Sequence, residues 1–518
     1  MDEKRKEQLE YLLELRKTSA LGGGQDQIEK LHKKGKLSAR ERIQKLLDPG
    51  SFHEIFGLRE TQEYEFGMQK KAIPGDGCIT GYGTIEGRIV YVFFHDATVF
   101  GGSLGKAFGD KICAIMDLAA ETGAPVIGIN DSGGARIQEG VSSLNAYSEV
   151  FYRNVKYSGI VPQISLILGS CAGGAVYSPA LTDFIFMVEE TSHMMITGPA
   201  VIKAVTGEEI TMEDLGGAKI HGEKTGIAQF ICSSEDEAFS RTRKLITFLP
   251  SNNSESIPIG PQNDPADRHD GILNEIIPTD PNKSYDMYEI LKRTFDKDSL
   301  FPVSKNYAQN IITAFGRLHG VTVGVVANNP AFLAGVIDVD ASLKASRFIR
   351  FCSAYSIPIV TFVDVPGFMP GVHQEHTGII KHGAKILYAY YEAEGVPQMT
   401  VITRKAYGGA YVAMSSMPCA DIVYAWPTAE IAVMGPQGAA NIIHKREIQS
   451  AEDPKKKRAE KIAEYDKKFA NPYYAAKRGL VSEVILPSET RERLISSLAV
   501  LRGKKKPHLP RKHGNIPL

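Results

Sequence analysis

The chain has few cysteines, and none is arranged for a metal site or a disulfide framework. All six stand singly, without a Cys-x-x-Cys pair. Zinc ribbons need closely spaced cysteine pairs, and disulfide frameworks are typical of small secreted domains. The sequence therefore predicts reduced thiols at six positions: Cys78, Cys113, Cys171, Cys232, Cys352 and Cys419.

Long apolar runs are also missing. No window approaches the ~18 uninterrupted apolar residues of a membrane-spanning helix. The first residues, MDEKRKEQLEY, carry both signs of charge and no apolar leader segment. Neither sign is in excess, since Lys+Arg and Asp+Glu each number 60. We expect a cytoplasmic protein, and the total charge gives no indication of a nucleic-acid or membrane partner.

The common catalytic and nucleotide-binding motifs are absent as well. GSCAGG, from Gly169, lacks the spacing of a Gly-x-Ser-x-Gly elbow, and GYGTIEG, from Gly81, is not Gly-x-Gly-x-x-Gly. No Walker sequence occurs. His373 and His376 are three residues apart, but no third ligand accompanies them, so no metal is predicted. These absences favour chemistry that depends on the backbone.

What the chain does contain is a repeat. APVIGINDSGG and IPIVTFVDVPG align Asp131 with Asp364, 233 residues apart. VPQISLILGSCAGGA and VPQMTVITRKAYGGA align Gly173 with Gly408, 235 residues apart. Two further matches follow in the same order, and a collinear series of this kind indicates internal duplication.

The duplication predicts two homologous domains, at 1–258 and 264–505, followed by a basic tail at 506–518. The segment LPSNNSESIPIGPQNDP between them is rich in Pro, Ser and Asn, as linkers are. In each domain, apolar runs of strand length alternate with helical stretches, at 104–121 and 341–355. This alternation predicts an α/β fold with largely parallel strands.

Two segments outside the repeats are predicted to be helical. SARE, from Ser38 to Glu41, has the pattern of a capping box at the start of a helix. The charged stretch 445–468 is predicted to be a solvated helical hairpin or insert, with a contact to a partner or a phosphate as the alternative.

The Gly-Gly-Ala sequences follow a predicted strand in both copies. Glycine lets a ligand approach the backbone closely, and the first N–H groups of a following helix have no partner within that helix. Aimed at one point, such donors bind negative charge and can form an oxyanion hole. The loops that begin at Asp131 and Asp364 end the neighbouring strands, so they are predicted to lie beside these turns. The alternative is that the glycines serve only to pack tight turns.

The residues around these turns resemble a known family. SCAGGAVYSPALTDFIFMV, VDVPGF, GIIKHGAKILYAY, RKAYGGAYVAM, AWPTAEIAVMGPQGAANII and FANPYYAAKRG are similar to the carboxyltransferase (β) subunits of biotin-dependent acyl-CoA carboxylases, especially those of the propionyl-CoA type. The resemblance covers nearly the whole chain. It implies two tandem crotonase-like domains, each a β-β-α superhelix, and a homohexamer with active sites at subunit interfaces.

The resemblance also implies roles for individual residues. Gly173 and Gly174 would hold the thioester oxygen of the acyl-CoA, and Gly409 and Ala410 the ureido oxygen of biotin. Two oxygens that become anionic would explain two glycine turns. The loops would complete the acyl-CoA pocket and the biotin pocket: Gly133, Gly134 and Ala135 in the first, Gly367 and Phe368 in the second.

The implied reaction moves a carboxyl group from carboxybiotin to the α-carbon of a short acyl-CoA, most simply propionyl-CoA to methylmalonyl-CoA, with biotin itself as the base. The chain has no Ala-Met-Lys-Met-like sequence for attaching biotin, so a biotin carboxylase or biotin-carrier α subunit must deliver it. Val412 stands where the family helps select the acyl group and where many propionyl-CoA carboxylases have Asp.

Several alternatives stay open. The α subunit of a methylmalonyl-CoA decarboxylase, with a membrane partner, would run the same chemistry in reverse. A crotonase-like hydratase or thioesterase would need an acid/base side chain in the first pocket, and the sequence places none there. A non-catalytic scaffold is disfavoured because both copies keep their glycines.

Overall fold

The computed structural model describes residues 2–70, 72–504 and 512–517. The chain divides into two compact units, Met1–Glu255 and Ser256–Leu518. The division falls within the predicted linker, 249–263, and residues 506–511 and 518 of the predicted tail lie outside the described residues.

The first unit is built from β1–β8 and α1–α9. Its strands are His53–Ile55, Cys78–Ile85, Arg88–His95, Val126–Ser132, Gln163–Ala172, Phe184–Val188, His193–Met195 and Phe230–Cys232. Its helices are Glu3–Leu21, Gln25–His32, Ala39–Leu46, Lys106–Thr122, Val141–Lys156, Tyr177–Leu181, Pro199–Thr206, Met212–Gly216 and Glu235–Ile246.

The second unit is built from β9–β16 and α10–α19. Its strands are Phe301–Val303, Ile311–Leu318, Val321–Asn328, Ile359–Val365, Gln398–Tyr407, Ile422–Ala425, Glu430–Ala432 and Glu483–Val484. Its helices are Met287–Thr294, Val339–Ala354, Val372–His376, Ile379–Glu392, Gly408–Ala413, Pro436–Ile443, Lys445–Gln449, Pro454–Phe469, Pro472–Ala476 and Thr490–Leu501.

Both sheets have the same order of strands. In the first unit it is β1-β2-β3-β4-β5-β6-β8, with β7 paired to β5; in the second it is β9-β10-β11-β12-β13-β14-β16, with β15 paired to β13. The first three strands of each sheet are antiparallel and the others are parallel. β12, which is parallel to the strand on either side of it, is buried along its whole length, as a strand inside a parallel sheet should be. The predicted α/β fold with parallel strands is confirmed.

Strand register defines which residues of the two units are equivalent. Val126 pairs with Gln163 as Ile359 pairs with Gln398. Both glutamines also bond the helix that precedes their strand: their Nε2 groups donate to the carbonyls of Asn154 in α5 and residue 390 in α13, at 3.0 Å each. The helices α5 and α13 are therefore equivalent in register, 236 residues apart.

Each unit buries a lysine beneath its sheet. In α11, Lys344 Nζ donates to the carbonyls of Tyr307 and Ile311 at 2.6 and 2.7 Å and to that of Ala308 at 3.3 Å. In α4, Lys111 Nζ donates to two backbone carbonyls at the corresponding place. Backbone acceptors compensate each buried ammonium group, and they tie a long helix to the start of the antiparallel strands.

Three local predictions are confirmed. Ser38 and Glu41 form a capping box at the start of α3. The segment 445–468 forms α16 and most of α17, where Glu447 pairs with Lys457 and Lys461. The six cysteines are free thiols, and all are buried. Within the described part of the chain, no helix is long and apolar enough to cross a membrane.

Candidate active site

The first Gly-Gly-Ala turn joins β5 to α6. The 3-10 turn Gly173–Val176 follows the strand directly, and Gly173 takes a left-handed φ of 60° that favours glycine. Its N–H donates to the carbonyl of Ile196 at 3.0 Å, because β7 lies beside the end of β5. Gly173 therefore shapes the turn, and the next N–H groups, those of Gly174 and Ala175, are the ones placed at the start of the helical segment.

The second turn joins β13 to α14. Gly408, equivalent to Gly173, has a φ of 59°, and α14 begins at this residue. Gly409 and Ala410 thus carry the second and third N–H groups of a helix whose first turn has no internal acceptors. By register, they are equivalent to Gly174 and Ala175. The predicted donor pair in the first unit, Gly173 and Gly174, is one residue earlier than this equivalence indicates.

The loop after β4 lies against the first turn. A Cβ on Gly134, which has a φ of 99°, would be 3.0 Å from the carbonyl oxygen of Ala172. The N–H groups of Gly133 and Gly134 bond within the unit, to the Gly101 carbonyl and to Ser132 Oγ, both at 3.1 Å. The structure therefore brings 133–135 beside the turn, as the sequence predicts, but uses both glycine N–H groups internally.

The loop after β12 occupies the same place in the second unit. Val365 pairs with Ala406, which brings Gly367 and Phe368 to the end of β13. Phe368 forms a parallel bridge with Ile337, and Ala135 forms the same bridge with residue 104 in the first unit. Phe368 and Ala135 are therefore equivalent residues.

A buried carboxylate holds the second loop in place. Asp364, which is fully buried, accepts hydrogen bonds from Arg404 Nε at 2.9 Å, the Tyr285 hydroxyl at 2.8 Å and the Lys405 N–H at 3.1 Å. Burial raises the pKa of the Asp364 carboxyl, and Arg404 opposes that rise. The Arg404 guanidinium also lies 4.9 Å from the centre of the Tyr285 ring.

The equivalent carboxylate of the first unit has different partners. Asp131 pairs with Lys36 Nζ and with Arg42, whose nearest nitrogen is 3.4 Å away. Position 404 corresponds to Gly169, where a Cβ would lie 2.0 Å from Asp131 Oδ1. A side chain has no room there, so the cations come from the segment around α3. Sequence reasoning found both aspartates but missed all three cationic partners.

The remaining candidate residues take no part in the hydrogen bonds and ion pairs of Asp131 and Asp364. Val412 is on α14 with 42% of its surface exposed. His373 and His376 lie on the exposed helix α12. No group of three His, Cys, Asp or Glu residues suited to a metal ion occurs in 2–70, 72–504 or 512–517. What the turns can do is donate backbone N–H groups to oxygens that gain negative charge.

Two α/β units with equivalent glycine turns define a duplicated, crotonase-like fold, and comparison with known proteins gives the family. A model of the carboxyl transferase domain matches residues 30–516, and the chain belongs to that family. The propionyl-CoA carboxylase carboxyltransferase subunit of Haloferax mediterranei is 56% identical over 514 residues, 99% of both chains. The methylmalonyl-CoA decarboxylase subunit alpha of Propionigenium modestum is 53% identical over 500 residues, 96% of both.

A solved structure gives the same result. Transcarboxylase 12S, described as a hexamer and crystallised with methylmalonyl-coenzyme A and methylmalonic acid bound, has a TM-score of 0.96 and 49% identity, covering 98% of both chains. The predicted resemblance to carboxyltransferase subunits and the predicted fold of two tandem crotonase-like domains are confirmed.

Proposed function

We propose that this chain is the carboxyltransferase subunit of a biotin-dependent acyl-CoA carboxylase, acting between carboxybiotin and propionyl-CoA. The observation that carries the proposal is the pair of equivalent glycine turns, each ending a central strand and opening a helical segment. The high identity to propionyl-CoA carboxylase subunits and the methylmalonyl-CoA bound to transcarboxylase 12S support a three-carbon acyl group.

The first unit is the proposed acyl-CoA site. The N–H groups of Gly174 and Ala175 would stabilise the thioester oxygen while the α-carbon loses its proton, helped by the positive end of the following helical segment. Gly173 would form the turn, and its N–H would not be a donor to the thioester oxygen. The loop 133–135 would line the same pocket.

The second unit is the proposed biotin site. The N–H groups of Gly409 and Ala410 would stabilise negative charge on the ureido oxygen, and Gly367 and Phe368 would line the pocket. The residues fit such a group because Gly409 is exposed and a Cβ there would meet no atom within 4 Å. When bound, biotin supplies the transferred carboxyl group and the base for the α-proton.

Delivery of biotin requires a partner. The chain lacks a biotin-attachment sequence, so a biotin carboxylase/biotin-carrier α subunit would bring the loaded group to the second unit. A hexamer, the assembly described for transcarboxylase 12S, is the proposed oligomer.

A second candidate is a methylmalonyl-CoA decarboxylase subunit, supported by relatives at 53% and 54% identity. It uses the same turns in the reverse direction. A neighbouring gene for a biotin carboxylase would favour the forward reaction, and one for a membrane decarboxylase subunit would favour the reverse.

The test of the shared chemistry needs neither partner nor ATP. The purified chain is incubated with methylmalonyl-CoA, with and without biocytin, and propionyl-CoA is measured by liquid chromatography. Propionyl-CoA that forms only with biocytin supports the proposal. No product from methylmalonyl-CoA, malonyl-CoA or glutaconyl-CoA, with the oligomer intact, contradicts it.

A further inference from the structure

The two units differ at two pairs of equivalent residues that lie next to the turns. At the loop position the first unit has Ala135 and the second has Phe368. At the helix position, in the equivalent helices α5 and α13, the first unit has Tyr147 and the second has Gly383. A small loop residue is thus combined with a large helix residue in one unit, and the reverse combination occurs in the other.

In the first unit the aromatic ring comes from the helix and reaches the turn. A Cβ on Gly174 would be 3.3 Å from Cδ2 and 3.4 Å from Cε2 of Tyr147, which is tighter than an ordinary contact. Tyr147 is only 4% exposed. Burial raises the pKa of its hydroxyl. The space beside Gly174 is therefore closed by a ring.

In the second unit the aromatic ring comes from the loop and stays away from the turn. A Cβ on Gly383 would be 2.9 Å from Cε1 of Phe368, so Phe368 covers the bare helix position. A Cβ on Gly409 would have no atom within 4 Å. Since the two turns have the same backbone form, the part of the Tyr147 ring position that lies against Gly174 is open beside Gly409 in the second unit.

We infer that this exchange decides which unit accepts biotin. Gly383 leaves a slot beside Gly409, bounded by Phe368, that is suited to the planar ureido ring of biotin, and Tyr147 closes the equivalent slot so that the first unit admits only a short acyl group. The inference rests on the proposed function and extends it to two residues, Tyr147 and Gly383, that act by shape. An aromatic face beside a slot also provides apolar area for a ring to contact.

The test converts the second unit to the arrangement of the first. In the double variant Phe368→Ala/Gly383→Tyr, the new ring has the room that Tyr147 has beside Ala135. We expect the KM for biocytin in biotin-dependent methylmalonyl-CoA decarboxylation to rise at least about tenfold, as when a pocket is filled. Binding of biocytin to the full oligomer, followed by saturation-transfer NMR, should weaken in parallel. Methylmalonyl-CoA affinity, measured by calorimetry, should stay within about twofold because the first unit is unchanged.

A matched control adds the same side chain elsewhere in the unit. Val500→Tyr places a tyrosine on α19, where Val500 is 78% exposed, and should leave the KM for biocytin unchanged. If the double variant fails to assemble, Gly383→Ala serves instead: its methyl group would push Phe368 towards the slot, and the KM should rise in the same direction by a smaller factor.

The possible outcomes distinguish a failure of the proposed function from a failure of this inference alone. An unaltered chain that neither binds biocytin nor responds to it refutes the proposed function and this inference together. An unaltered chain that does both, beside a folded double variant with an unchanged KM and unchanged NMR signals, refutes the inference alone. A loss of methylmalonyl-CoA affinity as large as the loss for biocytin also refutes it, because the exchange would then not discriminate between ligands.

Discussion

Replacing Arg404 by Met should destabilise the second unit and impair the proposed biotin site. Arg404 is 5% exposed and Asp364 is fully buried, so the variant would leave a carboxylate without its cation in the interior. Breaking a buried ion pair in this way costs about 3–5 kcal/mol. Asp364 keeps the Tyr285 hydroxyl and the Lys405 N–H, so we expect a loss near the lower limit, about 3 kcal/mol.

The loss should depend on pH with a definite sign. The unfolded carboxyl has a pKa of about 3.9. Burial already raises the folded pKa of Asp364, and removing Arg404, which opposes that rise, raises it further. The folded variant therefore binds its proton at higher pH than the unfolded chain. The unfolding free energy that the variant loses relative to the unaltered protein should be small near pH 4. The loss should grow as the pH rises through the folded pKa values that Asp364 has in the two proteins.

The second unit contains its own reporter. Trp426 is the one tryptophan of the sequence, and it is fully buried beside α19, where its Nε1 donates to Thr490 at 2.9 Å. Urea unfolding followed by its fluorescence gives the stability of that unit. In the control Arg404→Met/Asp364→Asn the charge is gone, so most of the loss should be recovered. A loss below about 1 kcal/mol in the single variant, or one that does not change with pH, would refute the reasoning.

Three further predictions concern the turns and the helices behind them. Lys344→Met leaves buried carbonyls without a donor and should lower the unfolding free energy by about 3 kcal/mol in urea titrations; an unchanged midpoint would contradict this. Gly409→Pro removes one N–H in the first helical turn, which tolerates proline, and should lower kcat for biotin-dependent decarboxylation about 10²–10³-fold; near-normal kcat would exclude that N–H as a donor. Val412→Phe, on the exposed side of α14, should lower kcat/KM for butyryl-CoA relative to propionyl-CoA by about tenfold, measured by carboxylation with the reconstituted partner; an unchanged ratio would remove Val412 from acyl selection.

The turns were predictable because their signals are local. An apolar run followed by Gly-Gly-Ala indicates both a strand and the start of a helix. Because the same pattern occurs in both repeats, each occurrence supports the assignment of the other. The observed α4 and α11 differ from the predicted stretches 104–121 and 341–355 by no more than two residues at either end. The largely parallel pairing of the strands also follows from the alternation of strands and helices.

The details of the donor groups were not predictable in the same way. The bond from the Gly173 N–H to Ile196 depends on β7 lying beside β5, which a sequence pattern does not reveal. The exchange of ring positions between Tyr147 and Phe368 depends on the direction of side chains after the units have folded. In both cases residues far apart along the chain decide the chemistry of a local motif.

The two buried aspartates, Asp131 and Asp364, take their cationic partners from different parts of the chain. This difference decides which fragments of the chain can fold on their own. The second unit supplies Arg404 from its own central strand, so a fragment that begins at Ser256 retains the counter-charge of Asp364. The first unit takes Lys36 and Arg42 from a segment that precedes its sheet. A fragment trimmed to the strands and helices of the repeat would enclose an uncompensated negative charge. The residues around α3 therefore belong to the minimal unit that can fold independently, although the repeat itself does not include them.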